Sequence, residues 1–243
     1  MKTILTATAA LALGTGMALA AEHSATVRLG TEGAYAPYNF LDDDGEVAGF
    51  ERQLGDELCA RAELTCEWVT NDWDSIIPNL VSGNYDAIMA GMSITDERDE
   101  VIDFSDPYTQ PDPSVYVSTM DDVDVENAVV AAQSGTIQAG HVASMEGATL
   151  VEFATPEETV AAVRNGEADA VLADKAFLMP IVENESELSV VGDDVLLGGG
   201  IGMGFRESDG ELREKFNAAI QSMKDDGSLN ALIEEWLPDG ATF

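Results

Sequence analysis

Short strand-like runs alternate along the chain with segments in which apolar residues recur every three or four positions. Residues 26–31 and 129–133 are short runs rich in valine and other strand-forming residues, bounded by polar or turn-forming positions. Leu54, Leu58 and Ala62 are spaced by four, which predicts one face of a helix. The repeated alternation predicts β-α-β units, and therefore parallel sheets with helices on both faces.

Local signals mark where several of these elements start or bend. Thr155 begins a capping box with Pro156 at the first helical position, whereas Pro78 lies inside a helical pattern and should kink it or leave its first turn unbonded. The glycine-rich segment 198–205 predicts a flexible strand and does not match the G-x-G-x-x-G nucleotide-binding pattern. The predicted strands are 26–31, 66–69, 87–92, 129–133, 149–153 and 170–174, and the predicted helices centre on 54–62, 73–83, 137–145, 156–166, 212–223 and 229–236.

The ends of the predicted strands are where a ligand site is expected. In parallel α/β sheets, ligands bind beyond the carboxyl ends of the strands, near the point where the strand order switches. This rule selects the segments 31–32, 91–98 and 134–138 together with Asp174. Aromatic side chains in or beside these loops could sandwich a ligand or belong to the core; they are Tyr35, Tyr38, Phe50 and Trp73.

Two charges at these strand ends suit a ligand that carries both signs. Thr95 is a candidate N-cap that places Arg98 in the first turn of a helix, where an arginine opposes the helix dipole unless an anion binds it. Arg98 is therefore a candidate for binding a carboxylate, and the alternative is a surface ion pair with Asp96 or Glu100. Asp174 is a candidate partner for an ammonium group, and its alternative role is to cap the next helix.

Composition and charge narrow the class of function. The chain has 46 acidic and 11 basic residues, and its formal charge of −35 at pH 7 disfavours nucleic acid and anionic lipid as partners. This excess of acid either concentrates cations near the surface or reflects adaptation to a saline medium. With two histidines and no P-loop, the sequence predicts no Ser-His-Asp triad, no metal site and no cofactor.

The N-terminus and the cysteines indicate the compartment. Residues 1–20 begin with Met1 and Lys2, continue with an apolar stretch at 4–19 and end in small residues, which predicts a Sec signal peptide cleaved after about Ala20 rather than a transmembrane anchor. Cys59 and Cys66 predict a disulfide, since no other Cys or His lies near enough in the sequence to complete a metal site. The mature chain is therefore expected outside the cytoplasm.

Several longer segments resemble a known family. They are TEGAYAPYNF at 31–40, GFERQLGDELC at 49–59, the stretch 73–108 with its SITDER and FSDPY motifs, QSGTIQ at 133–138 and ADAVLADK at 168–175. In this order they resemble the family 3 extracellular solute-binding proteins of polar amino-acid ABC transporters. The resemblance implies an α/β fold of the periplasmic binding protein type II, in which two Rossmann-like lobes are joined by two hinge strands, here at about 115–117 and 202–205. Lobe 1 would comprise 21–114 and 206–243, and lobe 2 would comprise 115–205.

The resemblance also assigns roles in binding an α-amino acid. Arg98, Ser93 and the backbone and hydroxyl of Thr136 would bind the α-carboxylate. Asp174 and the carbonyl of Gly91 would bind the α-ammonium. Gly91 stands where the family commonly has Ser, so its contact could only be through the main chain.

Further residues would recognise the ligand's side chain. Glu32 and Glu51 lie where the lysine, arginine, ornithine and histidine binders of the family place acids for the distal cation, and Tyr35 and Trp73 would flank the side chain. Ile137 replaces a common Thr, which leaves only main-chain contacts there. The Cys59 to Cys66 spacing matches the disulfide of that subgroup. The complete candidate set is Glu32, Tyr35, Glu51, Trp73, Gly91, Met92, Ser93, Arg98, Thr136, Ile137, Gln138 and Asp174.

The resemblance leads to the expectation of a monomeric binding protein rather than an enzyme. It would capture a polar, cationic amino acid, namely arginine, lysine, ornithine or histidine, by hinge closure in the periplasm and deliver it to the membrane permease of an ABC importer. Opines such as octopine or nopaline stay open as ligands, because TEGAYAPYNF is also similar to opine binders, and so do neutral polar amino acids. The alternative from another class is an enzyme like the cyclohexadienyl dehydratases, which resemble these binders.

Overall fold

The computed structural model describes residues 26–243, and the predicted signal peptide at 1–20 lies outside the described residues. Within 26–243 no helix is both long enough and apolar enough to cross a bilayer. The strands are β1 (Val27–Thr31), β2 (Ala34–Tyr35), β3 (Asn39–Leu41), β4 (Val47–Ala48), β5 (Cys66–Thr70), β6 (Ala87–Ile88), β7 (Asp103–Phe104), β8 (Ser114–Ser118), β9 (Val129–Gln133), β10 (Thr149–Phe153), β11 (Ala170–Asp174), β12 (Ser189–Val195) and β13 (Gly204–Phe205). The helices are α1 (Phe50–Arg61), α2 (Ile76–Val81), α3 (Asp96–Asp99), α4 (Ile137–Ser144), α5 (Pro156–Arg164), α6 (Lys175–Asn184), α7 (Gly210–Asp226) and α8 (Ser228–Trp236).

The first lobe is built on a sheet in the order β5-β1-β6-β13-β7. β1 pairs in parallel with β5 and β6, whereas β13 runs antiparallel to β6 and β7. Buried side chains of β6 alternate between two cores: Ala87 packs with the cluster that holds α1, α7 and α8, and Ile88 packs with the cluster that holds α2. Helices therefore cover both faces, as predicted, but the sheet is mixed rather than wholly parallel, because β13 runs antiparallel to its neighbours.

The second lobe repeats this plan with a sheet in the order β10-β9-β11-β8-β12. β9 lies parallel to β10 and β11, and β8 lies antiparallel to β11 and β12. α5 begins with the predicted capping box, in which Thr155 accepts from the Glu158 amide and the Glu158 side chain accepts from the Thr155 amide. The capped helix packs on β9 and β11 and buries Val160 and Val163.

The chain passes between the lobes twice, in segments 105–113 and 196–203. These segments pair with each other, because the Tyr108 amide donates to the Ile201 carbonyl at 2.9 Å and the Ser105 amide donates to the Met203 carbonyl at 2.9 Å. The crossing at 105–113 precedes the predicted hinge strand at 115–117, which lies inside β8. The lobe boundaries at 114 and 206 stay a prediction.

Three further local predictions have clear outcomes. The predicted strand 87–92 is shorter than expected, since β6 ends at Ile88 and the chain turns at Gly91, whose φ of 61° is in the left-handed region that favours glycine. Pro78 lies in the first turn of α2, where its missing amide costs no helical hydrogen bond. The predicted disulfide is confirmed, since Cys59 and Cys66 are bonded and join the end of α1 to the start of β5.

Candidate functional site

A small cavity lies between the lobes, where the carboxyl ends of β1, β9 and β11 meet. Residues from all of the segments that the strand-end rule selected line this cavity. The lining residues are Glu32, Tyr35, Trp73, Ala90, Gly91, Ser93, Arg98, Gln133, Thr136, Ile137, Gln138 and Asp174.

Arg98 brings a positive charge into this cavity from the first lobe. The Thr95 hydroxyl caps α3 by accepting from the Arg98 amide, which fixes the backbone at the helix start. Within 26–243 the Arg98 guanidinium bonds only to main-chain oxygens, donating to the Ser93 carbonyl at 2.8 Å and to the Gly135 carbonyl at 3.3 Å, and it lies 5.4 Å from the centre of the Trp73 ring. It is not paired with a neighbouring carboxylate on the surface. Burial lowers the pKa of Arg98 to about 10, so the group stays protonated at neutral pH.

Asp174 brings a negative charge from the second lobe. It stands at the N-cap position of α6, yet its side chain makes no capping hydrogen bond, which contradicts the alternative role considered from the sequence. Its carboxylate instead accepts from the Tyr35 hydroxyl at 2.8 Å and from the Gln138 side-chain amide at 2.7 Å. Burial raises the pKa of Asp174 to about 6, although these hydrogen bonds and the charge of Arg98 favour the ionised form.

Glu32 supplies a second carboxylate to the cavity. One of its oxygens accepts from the Gln133 side-chain amide at 2.6 Å, a contact that runs from the first lobe to the second. Burial raises the pKa of Glu32 to about 7, and the charges of Asp72 and Asp74 act in the same direction. A cation beside Glu32 would favour its ionised form, because opposite charges at short range stabilise each other.

Glu51 and Met92 do not line this cavity. The contact of Glu51 with a ligand's distal cation stays a prediction. Glu51 is fully buried, and its carboxylate accepts from the Asn39 side-chain amide at 2.7 Å, from the Gly91 amide at 2.7 Å and from the Tyr108 hydroxyl. These internal donors occupy both of its oxygens. Glu51 therefore holds the turn at Gly91 from behind, and Met92 packs in the core of the first lobe.

The start of α4 forms part of the wall in the second lobe. Thr136 caps this helix, since its hydroxyl accepts from the Ala139 amide at 3.2 Å and donates to the Gln133 carbonyl at 2.7 Å. The predicted contact of the Thr136 hydroxyl with a ligand stays a prediction. First-turn amides of an α-helix have no intrahelical acceptor, so the backbone of Thr136, Ile137 and Gln138 can donate to an anion.

Aromatic rings form the opposite side of the cavity. Tyr35 stacks on Phe177 with ring centres 4.5 Å apart, and it lies 6.1 Å from Tyr38. Tyr38 and Phe50 are buried in the core, in agreement with the alternative considered for them. Tyr35 and Trp73 are the aromatic residues from the predicted set that reach the cavity.

Polar contacts join the lobes directly across the cavity, so the structure is a closed arrangement. They involve side chains that come from loops at the strand ends of both sheets. The pairs are Tyr35 with Asp174, Glu32 with Gln133, Arg98 with the Gly135 carbonyl, and Asp74 with Ser134.

Sequence reasoning missed Gln133, Ala90 and the stacking partner Phe177. Gln133 is the last residue of a correctly predicted strand, and extending the strand-end rule by one position would have found it. Phe177 carried no such signal, because its contact with Tyr35 joins residues that are far apart in the sequence. Within 26–243 there is no group of three or more His, Cys, Asp or Glu side chains arranged to hold a metal ion.

Comparison with known proteins gives a consistent result over the whole described chain. Residues 27–239 match the bacterial extracellular solute-binding proteins, family 3. A putative ABC transporter arginine-binding protein 2 of Escherichia coli (strain K12) is 30% identical, and the match covers 97% of this chain and 99% of that protein. An octopine-binding periplasmic protein of Rhizobium meliloti is 31% identical, and the match covers 94% of this chain and 95% of that protein. The crystal structure of a periplasmic His/Glu/Gln/Arg/opine family-binding protein from Silicibacter pomeroyi in complex with lysine is 70% identical, with a TM-score of 0.88 over 90% of this chain and 100% of that one. The chain belongs to the bacterial extracellular solute-binding proteins, family 3.

Proposed function

We propose that this protein binds a cationic amino acid, lysine or arginine, in the periplasm and delivers it to the permease of an ABC importer. The observation that carries the proposal is that Arg98, Asp174 and Glu32 line one cavity between two lobes. One guanidinium and two carboxylates complement a ligand that has one carboxylate and two cationic groups. The names of the relatives support the same class of ligand, since they include an arginine-binding protein and a complex with lysine.

Each charge of the ligand has a partner in the proposed complex. The α-carboxylate accepts from Arg98 and from the first-turn amides of α4, and the α-ammonium donates to Asp174 and the Gly91 carbonyl. The distal ammonium or guanidinium donates to Glu32. Hydrogen bonds to charged groups contribute about 1.5 to 3 kcal/mol each, so these contacts support tight binding of a small ligand.

Closure follows from the division of these partners between the lobes. Arg98 and Glu32 belong to the first lobe, whereas Asp174 and α4 belong to the second. A ligand that contacts both lobes binds the closed form more tightly than the open form. The difference between these two binding free energies is the amount by which the ligand stabilises the closed form. The closed form then presents both lobes to the permease in one fixed relation.

An opine is the second candidate ligand, because a relative named for octopine binding covers almost the whole chain. The closed cavity favours a free amino acid. An opine is bulkier, and it could enter only if the hydrogen bonds between Glu32 and Gln133 and between Asp74 and Ser134 were broken. We further propose that the protein is a binder without enzymatic activity, in line with the binding proteins among its relatives.

Calorimetric titration with L-lysine and L-arginine tests the proposal. Arg98→Ala and Asp174→Asn should each weaken binding by about a hundredfold or more, because each leaves a charge of the ligand unpaired in a buried site. The matched controls are Arg52→Ala and Asp56→Asn, which break a surface ion pair on α1 and should bind as the wild type does. Full affinity in either cavity variant, with ligand-free melting temperatures close to that of the wild type, would refute the proposal.

A further inference from the structure

An aromatic stack joins the two lobes beside the cleft cavity, the cavity between them that Arg98, Asp174 and Glu32 line. Tyr35 lies on β2, in the part of the first lobe between β1 and α1, and Phe177 lies on α6, directly after β11 of the second lobe. Their ring centres are 4.5 Å apart and their planes differ by 14°, a geometry in which aromatic rings attract each other. The Tyr35 hydroxyl also donates to Asp174 at 2.8 Å, so the second lobe contacts both the face and the polar end of this ring.

Both rings are buried in the closed arrangement, since Tyr35 is 9% exposed and Phe177 is 7% exposed. The two stacked faces come from different lobes, so parting the lobes separates the rings and exposes these faces to water. Returning apolar surface to water costs free energy in proportion to its area. Opening the lobes therefore has a cost at this stack, with or without a ligand.

The surface around the stack is also apolar. A groove on this side of the cleft is lined mostly by apolar residues of both lobes, which include Ala34, Ala36, Phe40, Leu41, Val160, Phe177 and Ile181. Other contacts between the lobes are hydrogen bonds, such as the one between Asp74 and Ser134. Water can replace a hydrogen bond when the lobes part, but it cannot replace an apolar contact. The stack therefore favours closure even where no ligand bridges the lobes.

Phe177 lies outside the cleft cavity, whereas its partner Tyr35 lines it. A substitution at Phe177 therefore removes no side chain that lines the cavity. The apparent affinity of a protein that binds in its closed form depends on how much of the closed form exists before the ligand arrives. Because every ligand uses the same closing equilibrium, a change in that equilibrium alters all affinities by one factor.

We propose that Phe177 is a positioning residue that holds part of the ligand-free protein in the closed form and thereby raises the affinity of the cleft for every ligand by the same factor. The Phe177 ring acts through Tyr35 and does not touch the ligand. The inference rests on the proposed function, because it concerns how tightly the same cleft holds its ligand. The role differs from that of Glu32, which selects among ligands by their charge.

Calorimetric titrations of Phe177→Leu with L-lysine and with L-norleucine test this role. Leucine keeps an apolar side chain on α6 but cannot stack, so both ligands should bind about three- to tenfold more weakly, by the same factor. Phe153→Leu is the matched control, because it removes a ring of the second lobe that has no aromatic partner among residues 26–243 and does not line the cleft cavity. This control should bind both ligands as the wild type does.

Three results of these titrations would overturn the proposal. They are unchanged affinity of Phe177→Leu for both ligands, a clearly larger loss for lysine than for norleucine, and an equal loss in Phe153→Leu. The second result would mean that the ring acts on the ligand's charge, and the third that any lost ring of this lobe has the same effect.

Small-angle X-ray scattering of the ligand-free protein measures the closing equilibrium without any ligand. Phe177→Leu should have a larger radius of gyration than the wild type, and saturating lysine should bring both proteins to the same value. Identical ligand-free scattering of the two proteins would overturn the proposal. If the wild type bound neither lysine nor arginine, the proposed function would fail, and the ligand-free scattering would still decide the role of Phe177.

Tyr35→Leu replaces Phe177→Leu in the scattering experiment if the latter does not fold, since it removes the other ring of the stack. An unchanged ligand-free radius of gyration in Tyr35→Leu would then overturn the proposal.

Discussion

Glu32 is the side chain whose surroundings discriminate most sharply between a cationic and a neutral ligand. It lines the cleft cavity, bonds to Gln133 of the other lobe and has a pKa of about 7 because of its burial. A cation beside a buried carboxylate favours the ionised form of that carboxylate. The account therefore places the choice between lysine and a neutral amino acid on this residue.

Glu32→Gln should weaken the binding of L-lysine by about 10- to 100-fold, because the substitution replaces a charge-assisted hydrogen bond of about 1.5 to 3 kcal/mol by a neutral one. L-norleucine lacks only the distal ammonium and should bind the variant about as well as it binds the wild type. Parallel calorimetric titrations with both ligands measure the difference. An equal loss for lysine and norleucine would contradict the assigned role of Glu32.

The affinity for lysine should also depend on pH. Glu32 and Asp174 have pKa values raised by burial to about 7 and about 6 in the ligand-free protein, and the ligand's cations favour their ionised forms. Binding must therefore release protons as the pH falls below 7, and the affinity should drop at least about tenfold between about pH 8 and about pH 5.5. Glu32→Gln should flatten the upper part of this profile. An affinity for lysine that rises as the pH falls would contradict this prediction, because it would mean that binding takes up protons.

Single residues were predictable where one local rule was enough. Asp174 ends β11 and Arg98 lies in the segment 91–98 that follows β6, so the strand-end rule selected both residues, which line the cavity with Glu32. The hydrogen bonds of Glu51 could not be predicted, because its position on α1 does not indicate which way the carboxylate is held, and that is decided by the buried donors Asn39, Gly91 and Tyr108. Contacts between lobes depend on the tertiary fold and leave no local pattern.

At the scale of elements, the disulfide joins a helix end to the strand that follows it. Cys59 lies in the last turns of α1, and Cys66 starts β5, the edge strand of the first sheet. The bond closes a short loop, and in the chain-entropy view it acts mainly by restricting the unfolded chain. Its contribution should therefore appear in stability rather than in ligand binding.

Replacing both cysteines by serine should lower the free energy of unfolding by about 2 to 3 kcal/mol, as expected for a loop of this length. Denaturant titration monitored by circular dichroism measures this change. Lysine affinity should stay close to that of the wild type, because neither cysteine lines the cleft cavity. A large loss of affinity in a variant that still folds would indicate that the bond positions the site.

Most elements were predictable because their own residues determine them. The strands 129–133, 149–153 and 170–174 have the predicted bounds, and the capping box starts α5 as expected. The segment 87–92 differed, since an apolar run does not reveal that Gly91 turns the chain out of the ladder. Sequence periodicity predicts burial better than it predicts where sheet pairing ends.

At the scale of the whole molecule, two lobes and two paired crossing segments produce a cleft and a hinge. One cationic side chain and two carboxylate side chains line the cleft, and they come from both lobes. A ligand with complementary charges therefore binds both lobes at once. The net charge of −35 favours the approach of cations over long range but does not define the site. Specificity comes from the few buried charges.

The crystal structure of the protein with L-lysine tests this account most directly. We expect the α-carboxylate to lie within hydrogen-bond distance of Arg98, the α-ammonium to bond to Asp174, and the distal ammonium to bond to Glu32, with both lobes closed on the ligand. Lysine bound outside the cleft cavity would contradict the account. So would lysine in the reverse orientation, with its carboxylate towards Glu32.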